Sequence, residues 1–252
     1  MSALHGRGSE VDAVIFDWGG TLTPFASIEM EDMWRLAARH LAPHIREDET
    51  ALTARLMDVE RAFWHRTATD ARAGSLSDLL AEATAAVGVD VGEAVLEEAG
   101  VRYLDAWTPH ITHDPEAAAT IRALRERGLR IGLLSNTHWP RLFHERFLER
   151  DGLTPLIDAR LYTSEMDYMK PHPEAFRLAL AAVGVDDPGR AVFVGDRPFD
   201  DIFGARRSGL RAVHRPNADV PPYDVVPDAT ITRLPELIGL VDGWNRDARS
   251  GR

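Results

Sequence analysis

Cysteine is absent from the 252-residue chain. That one absence excludes disulfides, thiolate nucleophiles, cysteine-bound zinc and iron–sulfur clusters together. Lysine is nearly absent: of 29 basic residues only Lys170 is a lysine. A coding bias toward arginine accounts for this in general, yet a lone lysine restricts the amine chemistry open to the chain. No stretch of about 18 apolar residues occurs, so no membrane-spanning helix is expected. The opening MSALHGRGSEVDAVIF has no unbroken apolar core and no small-residue cleavage site, so no signal peptide is expected either. A cytoplasmic enzyme is the default expectation. The 40 acidic residues outnumber the basic ones and leave a net charge of −11, which argues against nucleic acid or an anionic membrane as main partner. A phosphorylated small molecule is still admissible, because a few local cations or one metal reverse the sign inside a cleft.

What is present reads as an interrupted α/β chain. Residues 11–16, VDAVIF, form a short β-branched apolar run that suits a buried strand, and the WGGTLTP after it is turn chemistry. From about residue 28 to 101 apolar positions recur at helical spacing, as in Met33, Leu36, Ala37 and Leu41 or Leu52, Leu56, Val59 and Phe63, and no strand is expected. From residue 114 strands and helices alternate. Helices are expected at 114–127, 140–150, 172–183, 202–208 and 235–244, and strands at 129–136, 157–164, 190–196, 210–215 and 229–234. The proline-rich stretch 217–227 reads as a loop and the tail 246–252 as frayed. This alternation implies a doubly wound parallel α/β sheet covered on both faces. The first strand belongs to that sheet, so the helical region is an insert. The expected division is an α/β core of residues 1–23 and 112–252, with a helical cap of residues 24–111.

In open α/β sheets ligands sit beyond the carboxyl ends of the strands. The first strand delivers Asp17 there, the second Ser135 and Asn136, and the strand 190–196 delivers Asp196 with Asp200 and Asp201 behind it. Lys170 lies in the loop after strand 157–164. Each residue alone suits a turn or a cap. A carboxylate, a hydroxyl, the sole lysine and an acidic cluster in this order at successive strand ends form a constellation.

The segments FDWGGTLT, LLSNT, MKPHPEAF and VGDRPFDDIFGARRSG resemble the motifs of the haloacid dehalogenase-like (HAD) hydrolases, and the helical insert resembles their cap. The resemblance implies a Rossmann-like core and a covalent mechanism in which Asp17 attacks phosphorus and water releases the phosphate. It implies Mg²⁺ held by Asp17, Asp196 and the Gly19 carbonyl, with Asp201, or alternatively Asp200, placing the waters of the metal. Ser135, Asn136 and Lys170 would hold the phosphoryl oxygens.

One position departs from the family. Most of its phosphatases carry a second Asp two residues after the nucleophile as general acid and base; here it is Gly19. A phosphonatase also has a small residue there but needs a cap lysine, and this cap has none. A 2-haloacid dehalogenase needs no acid at position 19, but it also needs no metal and its relatives lack the paired acids of GDRPFDD. A Mg²⁺-dependent phosphate-ester hydrolase with an altered acid/base is the favoured expectation, with His138 as a candidate surrogate acid and Arg61, His65 and Arg66 as cap residues within possible reach. A non-catalytic protein that binds a phosphometabolite or a protein partner is the reading from another class. His110, His113 and Asp114 are expected as hinge or surface residues. Trp34, Phe63 and Trp64 are expected to pack between cap helices, or else to line an aromatic pocket.

Overall fold

The computed structural model describes residues 9–24, 28–88 and 91–251. Residues 1–8, most of the opening read above for a leader, and Arg252 of the tail lie outside the described residues. Six parallel strands, β1 (Ala13–Phe16), β2 (Arg130–Ser135), β3 (Ala159–Tyr162), β4 (Ala191–Gly195), β5 (Arg211–His214) and β6 (Ala229–Thr230), lie in the order β3-β2-β1-β4-β5-β6. The strand order runs outward from β1 in one direction and from β4 in the other. The two connections leave that junction on opposite faces, which opens a crevice at the carboxyl ends of β1 and β4.

Alternate residues of each strand feed two separate cores. Val14, Phe16, Ile131, Leu133, Val192 and Val194 pack on one face, with α5 (Ala117–Glu126), α6 (Arg141–Arg150) and α9 (Glu236–Ser250). Ala13, Ile15, Leu134, Phe193 and Ala212 pack on the other, with α7 (Pro173–Ala182) and α8 (Gly204–Arg207). Because both faces are covered, the strands read as near-continuous apolar runs rather than as alternating ones.

Between β1 and α5 the chain forms four helices, α1 (Met30–Ile45), α2 (Glu49–Asp70), α3 (Leu76–Ala85) and α4 (Glu93–Trp107), with a core of their own. Its centre is Trp34, fully buried and stacked on Tyr103 at 4.1 Å between ring centroids. Leu104, Trp107 and Trp139 touch both this core and the first core of the sheet, so the seam between the two layers is largely aromatic. Backbone hydrogen bonds fasten the layers: Met169 N–H donates to the Ala71 carbonyl at 2.9 Å, Ala73 N–H to that of Asp167 at 3.1 Å, and Leu76 N–H to that of His138 at 2.7 Å.

Three expectations need correction. The last strand shrinks from the expected 229–234 to two residues, because the Glu236 carboxylate accepts from the Thr232 hydroxyl and the Arg233 N–H, both at 2.8 Å, and bends the chain into α9. The tail is helical through Ser250 rather than frayed, with Ala248 buried and Arg249 paired to Glu10 at 3.1 Å. The helix expected at 202–208 begins earlier, as a π-turn over Pro198–Phe203 that runs into α8. A π-turn adds one residue to the helical path, and it places Asp200 and Asp201 directly after the β4 loop.

That π-turn explains Gly195. A Cβ built there would lie 2.3 Å from Asp201 Oδ2 and 2.4 Å from Asp201 Cβ. Gly195→Ala is therefore expected to destabilise the fold by ~1–3 kcal/mol, the usual cost of overpacking. A urea titration measures this, and a loss below ~0.5 kcal/mol would show that Asp201 does not press on the strand.

Candidate active site

The crevice at β1 and β4 is where the charged residues meet. Asp17 follows β1 and is 5% exposed, while Asp196 and Asp201 are fully buried. Each offers a carboxylate oxygen, and the three oxygens lie within 4.8 Å of one another. Lys170 Nζ donates to Asp17 Oδ1 at 2.6 Å and to Asp201 Oδ1 at 2.7 Å. It also sits 5.0 Å from the centre of the Phe193 ring. Asp201 Oδ2 accepts in addition from the Arg197 N–H at 2.9 Å. Neither oxygen of Asp196 has a hydrogen-bond partner among the described residues.

Three buried carboxylates thus face one ammonium group. Burial pushes the Asp17 pKa up to about 6 even with Lys170 pulling it down. Burial, with Asp201 and Asp17 adding their repulsion, pushes Asp196 up to about 8. Burial acts against the charge of Lys170, but Asp17 and Asp201 outweigh it and hold its pKa above the usual lysine value. The arrangement carries an excess of negative charge in a dry place, and two buried oxygens of Asp196 are unpaired. Hard oxygen donors with such an excess fit a divalent cation of the magnesium type.

The expected residues come together around this point. Ser135, at the end of β2, is buried and lines the same cavity as Asp17, Gly19, Asn136, Lys170 and Asp200. Asn136 fixes the backbone of the lysine: its Nδ2 donates to the Lys170 carbonyl at 2.8 Å and its Oδ1 accepts from the Lys170 N–H at 2.9 Å. Most of its amide is therefore spent on the lysine loop rather than on a ligand. Burial, with Asp201 next, raises the Asp200 pKa to about 6. A Cβ at Gly19 would meet nothing within 4 Å, and the left-handed backbone belongs instead to Gly20, with φ of 80°. Position 19 is therefore open space beside Asp17 rather than a backbone need.

Of the cap residues, Arg61 and Arg66 are exposed and paired with Asp58 and Glu82, and none of Arg61, His65 and Arg66 lines the cavity. Trp34 and Phe63 pack in the cap, whereas Trp64 lines the cavity, so the two readings of these aromatics divide between residues. His113 and Asp114 are tied into the junction of the helical layer and the sheet, so the surface expectation does not hold for them. His113 Nε2 accepts from Trp18 Nε1 at 3.0 Å while its Nδ1 lies 2.6 Å from Asp151, which fixes the indole beside Asp17. Asp114 pairs with Arg215 at 2.5 Å, and Arg215 also donates to the Thr21 carbonyl, tying the β1 loop to the start of α5.

Sequence reasoning passed over Glu60, Tyr103, Trp107 and Trp139, which line the cavity beyond Asp17. Glu60 carried a signal: it lies four residues after Leu56 and three before Phe63, a carboxylate on the apolar stripe of α2. The cavity measures about 280 Å³, and four of the six tryptophans of the chain line it. His138 and His144 line it too, and burial lowers the pKa of each to about 3.

The chain belongs to the haloacid dehalogenase-like hydrolases: the family model of that description matches residues 11–209. Among curated proteins it is 42% identical over 99 residues to the phosphoserine phosphatase of Thermus thermophilus, a match that covers 39% of either chain. It is 30% identical over 170 residues to the glyceraldehyde 3-phosphate phosphatase of Methanopyrus kandleri, covering 64% of this chain and 70% of that one. Among solved structures the 2-haloacid dehalogenase of Pseudomonas syringae pv. Tomato matches with a TM-score of 0.69 and 25% identity, over 93% of this chain and 99% of that one. A HAD phosphatase of Thermococcus onnurineus shares the fold, with a TM-score of 0.63 and 22% identity, over 92% of this chain and 99% of that one.

The buried histidines give a pH prediction. An unfolded histidine binds its proton near pH 6.5, whereas folded His144 does so only near 3. As pH falls from 6.5 to 3 the unfolded chain gains the proton first, so stability falls by up to ~1.4 kcal/mol per pH unit from this residue. His144→Gln should lack that loss. Its stability relative to the parent, read from urea melts, is expected to rise as pH drops through that window and to be constant above pH 7. Parallel curves would mean that His144 is protonated in the folded chain.

Proposed function

We propose that the chain hydrolyses phosphate monoesters of small metabolites, with Asp17 as nucleophile and Mg²⁺ as cofactor. The observation that carries this reading is Asp196, whose two carboxylate oxygens are buried and unpaired within reach of Asp17 and Asp201. Asp17, Asp196 and the Gly19 carbonyl would hold the ion, with Asp201, or alternatively Asp200, beside it. Bound there, Mg²⁺ supplies the positive charge that lets a carboxylate approach a dianionic phosphate. The names of the curated relatives, a phosphoserine phosphatase and a glyceraldehyde 3-phosphate phosphatase, agree with phosphate-ester chemistry.

The protein groups then act as follows. Lys170, 2.6 Å from Asp17, favours the ionised nucleophile and lies where charge spreads over the phosphoryl oxygens. Ser135 binds those oxygens from the end of β2. An oxygen of Asp17 bonds to phosphorus as the phosphorus–ester oxygen bond breaks, and the electron pair leaves with the alcohol oxygen. Water then attacks the aspartyl-phosphate, which returns Asp17 and inorganic phosphate. The helices of residues 24–111 act as the cap around the leaving group.

The leaving oxygen must find a proton. Gly19 has none to give, and His138, the expected surrogate, is kept neutral at pH 7 by burial, with a pKa of about 3. The departing group is therefore left largely to its own acidity or to water. A plot of log kcat against leaving-group pKa should be steep, with aryl and acyl phosphates ahead of alkyl ones. The open space at position 19 admits a side chain, so Gly19→Asp should flatten the plot and raise alkyl phosphate turnover, by up to the ~10²–10⁴ typical of a positioned acid. A flat plot for the parent, with chemistry rate-limiting, would show that another group already donates.

Metal dependence is the decisive test of the reading. Aryl phosphate hydrolysis should vanish in EDTA, in Asp17→Asn and in Asp196→Asn. Asp196→Asn should also melt at a higher temperature than the metal-free parent, because it removes a buried acid that the fold must protonate well above its usual pKa, while losing the Mg²⁺-induced rise in melting temperature. The 2-haloacid dehalogenase reading has the TM-score of 0.69 and the absent acid at Gly19 on its side. EDTA-resistant halide release from 2-chloropropionate would establish it instead. Phosphate and Mg²⁺ binding without turnover of any ester would favour a non-catalytic binding protein.

A further inference from the structure

A second buried carboxylate stands apart from the acid cluster. Glu60, on α2, is 7% exposed and lines the far part of the cavity. Its Oε2 accepts from Trp34 Nε1 at 2.6 Å and its Oε1 more weakly from Trp64 Nε1 at 3.5 Å. Its one ion-pair neighbour among the described residues is His138, at 3.7 Å, and burial keeps that imidazole neutral at pH 7. Both basic residues of the cavity wall, Lys170 and Arg197, come from loops of the sheet rather than from the cap. Burial raises the pKa of the Glu60 carboxyl, and with no lysine or arginine paired to it among the described residues, a cation that joined it would favour its ionised form.

The surroundings say what would join it. Tyr103, Trp107 and Trp139 line the same cavity, with Trp107 and Trp139 4.9 Å apart and Tyr103 and Trp107 6.4 Å apart between ring centroids, and Tyr103 stacks on the Trp34 that donates to Glu60. Aromatic faces around a carboxylate form the chemistry that holds an ammonium group. A primary ammonium would need three acceptors, of which Glu60, each oxygen already accepting from a tryptophan, supplies about two. A fully alkylated ammonium needs none. A second anionic group on the leaving side would meet Glu60 with no lysine or arginine of the cap, among the described residues, lining the cavity to balance it.

We propose that Glu60, Tyr103, Trp107 and Trp139 form a subsite for an alkylated ammonium group, so that the ester hydrolysed at Asp17 is the phosphate of a quaternary or tertiary amino alcohol. The second half of this statement rests on the phosphatase reading above; the subsite does not.

The test pairs choline phosphate with 3,3-dimethylbutyl phosphate, which has the same shape and no positive charge, in the presence of Mg²⁺. The cationic ester should be favoured in kcat/KM by about tenfold or more, the scale of one desolvated cation–π contact. Part of that ratio reflects the more acidic choline alcohol, and Glu60→Gln separates the two: it leaves leaving-group acidity untouched, so a collapse of the ratio belongs to the carboxylate. Tetramethylammonium, titrated against tryptophan fluorescence beside 3,3-dimethylbutanol, tests the subsite without catalysis. Saturable quenching by the cation alone, lost in Glu60→Gln, supports it even in a protein that hydrolyses no ester, in which case only the phosphatase reading falls. Equal or tighter binding of the neutral alcohol, no saturable response to the cation in the parent, or a parent ratio near one overturns the proposal, whether or not Glu60→Gln folds and whether or not aryl phosphates turn over.

Discussion

The centre of the molecule is one ammonium group held between two carboxylates. Lys170 is the only lysine in the chain, and it is bonded to Asp17 and Asp201 from loops that arrive by different routes through the sheet. Removing it would leave three buried carboxylates facing one another, so it holds the crevice together. The rest follows from keeping that point in place. Asn136 clamps the lysine backbone at both its amide and its carbonyl. The π-turn presses Asp201 against β4, where only glycine leaves room. The His113–Asp151 pair fixes Trp18 next to Asp17. Charge balance also explains why one partner is not enough: one lysine cannot neutralise three acids, and the unpaired oxygens of Asp196 record the deficit.

Much of this was legible in the sequence because topology does the assembling. Parallel strands all deliver their last residues to the same rim, so Asp17, Ser135 and Asp196 needed only correct strands to be brought together. Lys170 needed only the loop after β3. The parts that stayed dark depend on packing between helices whose crossing the sequence does not encode locally. Glu60, Tyr103, Trp107 and Trp139 come from α2, α4 and the loop after β2, and nothing in their spacing announces a shared cavity. Glu60 on an apolar stripe was a readable exception. The last strand was expected too long for another reason: ATITRL has strand chemistry, but the Glu236 side chain captures Thr232 and Arg233 locally and ends the strand early. Local capture of backbone donors wins over propensity at a sheet edge, where few ladder bonds are at stake.

The two ends of the cavity present opposite electrostatics. At the sheet end, a buried lysine, an arginine and a magnesium-type donor set suit a phosphoryl group. At the cap end, among the described residues, there is no lysine or arginine in the lining, but one carboxylate and a group of aromatic rings. A ligand with an anion at one end and a cation at the other satisfies both, and a uniformly anionic ligand satisfies only the first. This polarity comes from where the charges sit along the chain, since Lys170 and Arg197 follow strands while Glu60 belongs to the inserted helices.

The glycine at position 19 fits the same scheme. Beside Asp17 it leaves a gap that a side chain would fill without strain, since a Cβ there meets nothing within 4 Å. An acid in that gap would carry a further negative charge, or hold a proton under the repulsion of Asp17, Asp196 and Asp201. Without it, position 19 offers no proton, and in the reading proposed above the supply passes to the solvent or to the acidity of the alcohol. An alcohol with a positive charge near its oxygen is more acidic than its neutral counterpart, because the cation stabilises the alkoxide. A cap that selects a cationic leaving group and a first loop that offers no proton donor are therefore mutually consistent: the charge that Glu60 would recognise at one end of the ligand lowers the need for the acid that Gly19 does not supply at the other.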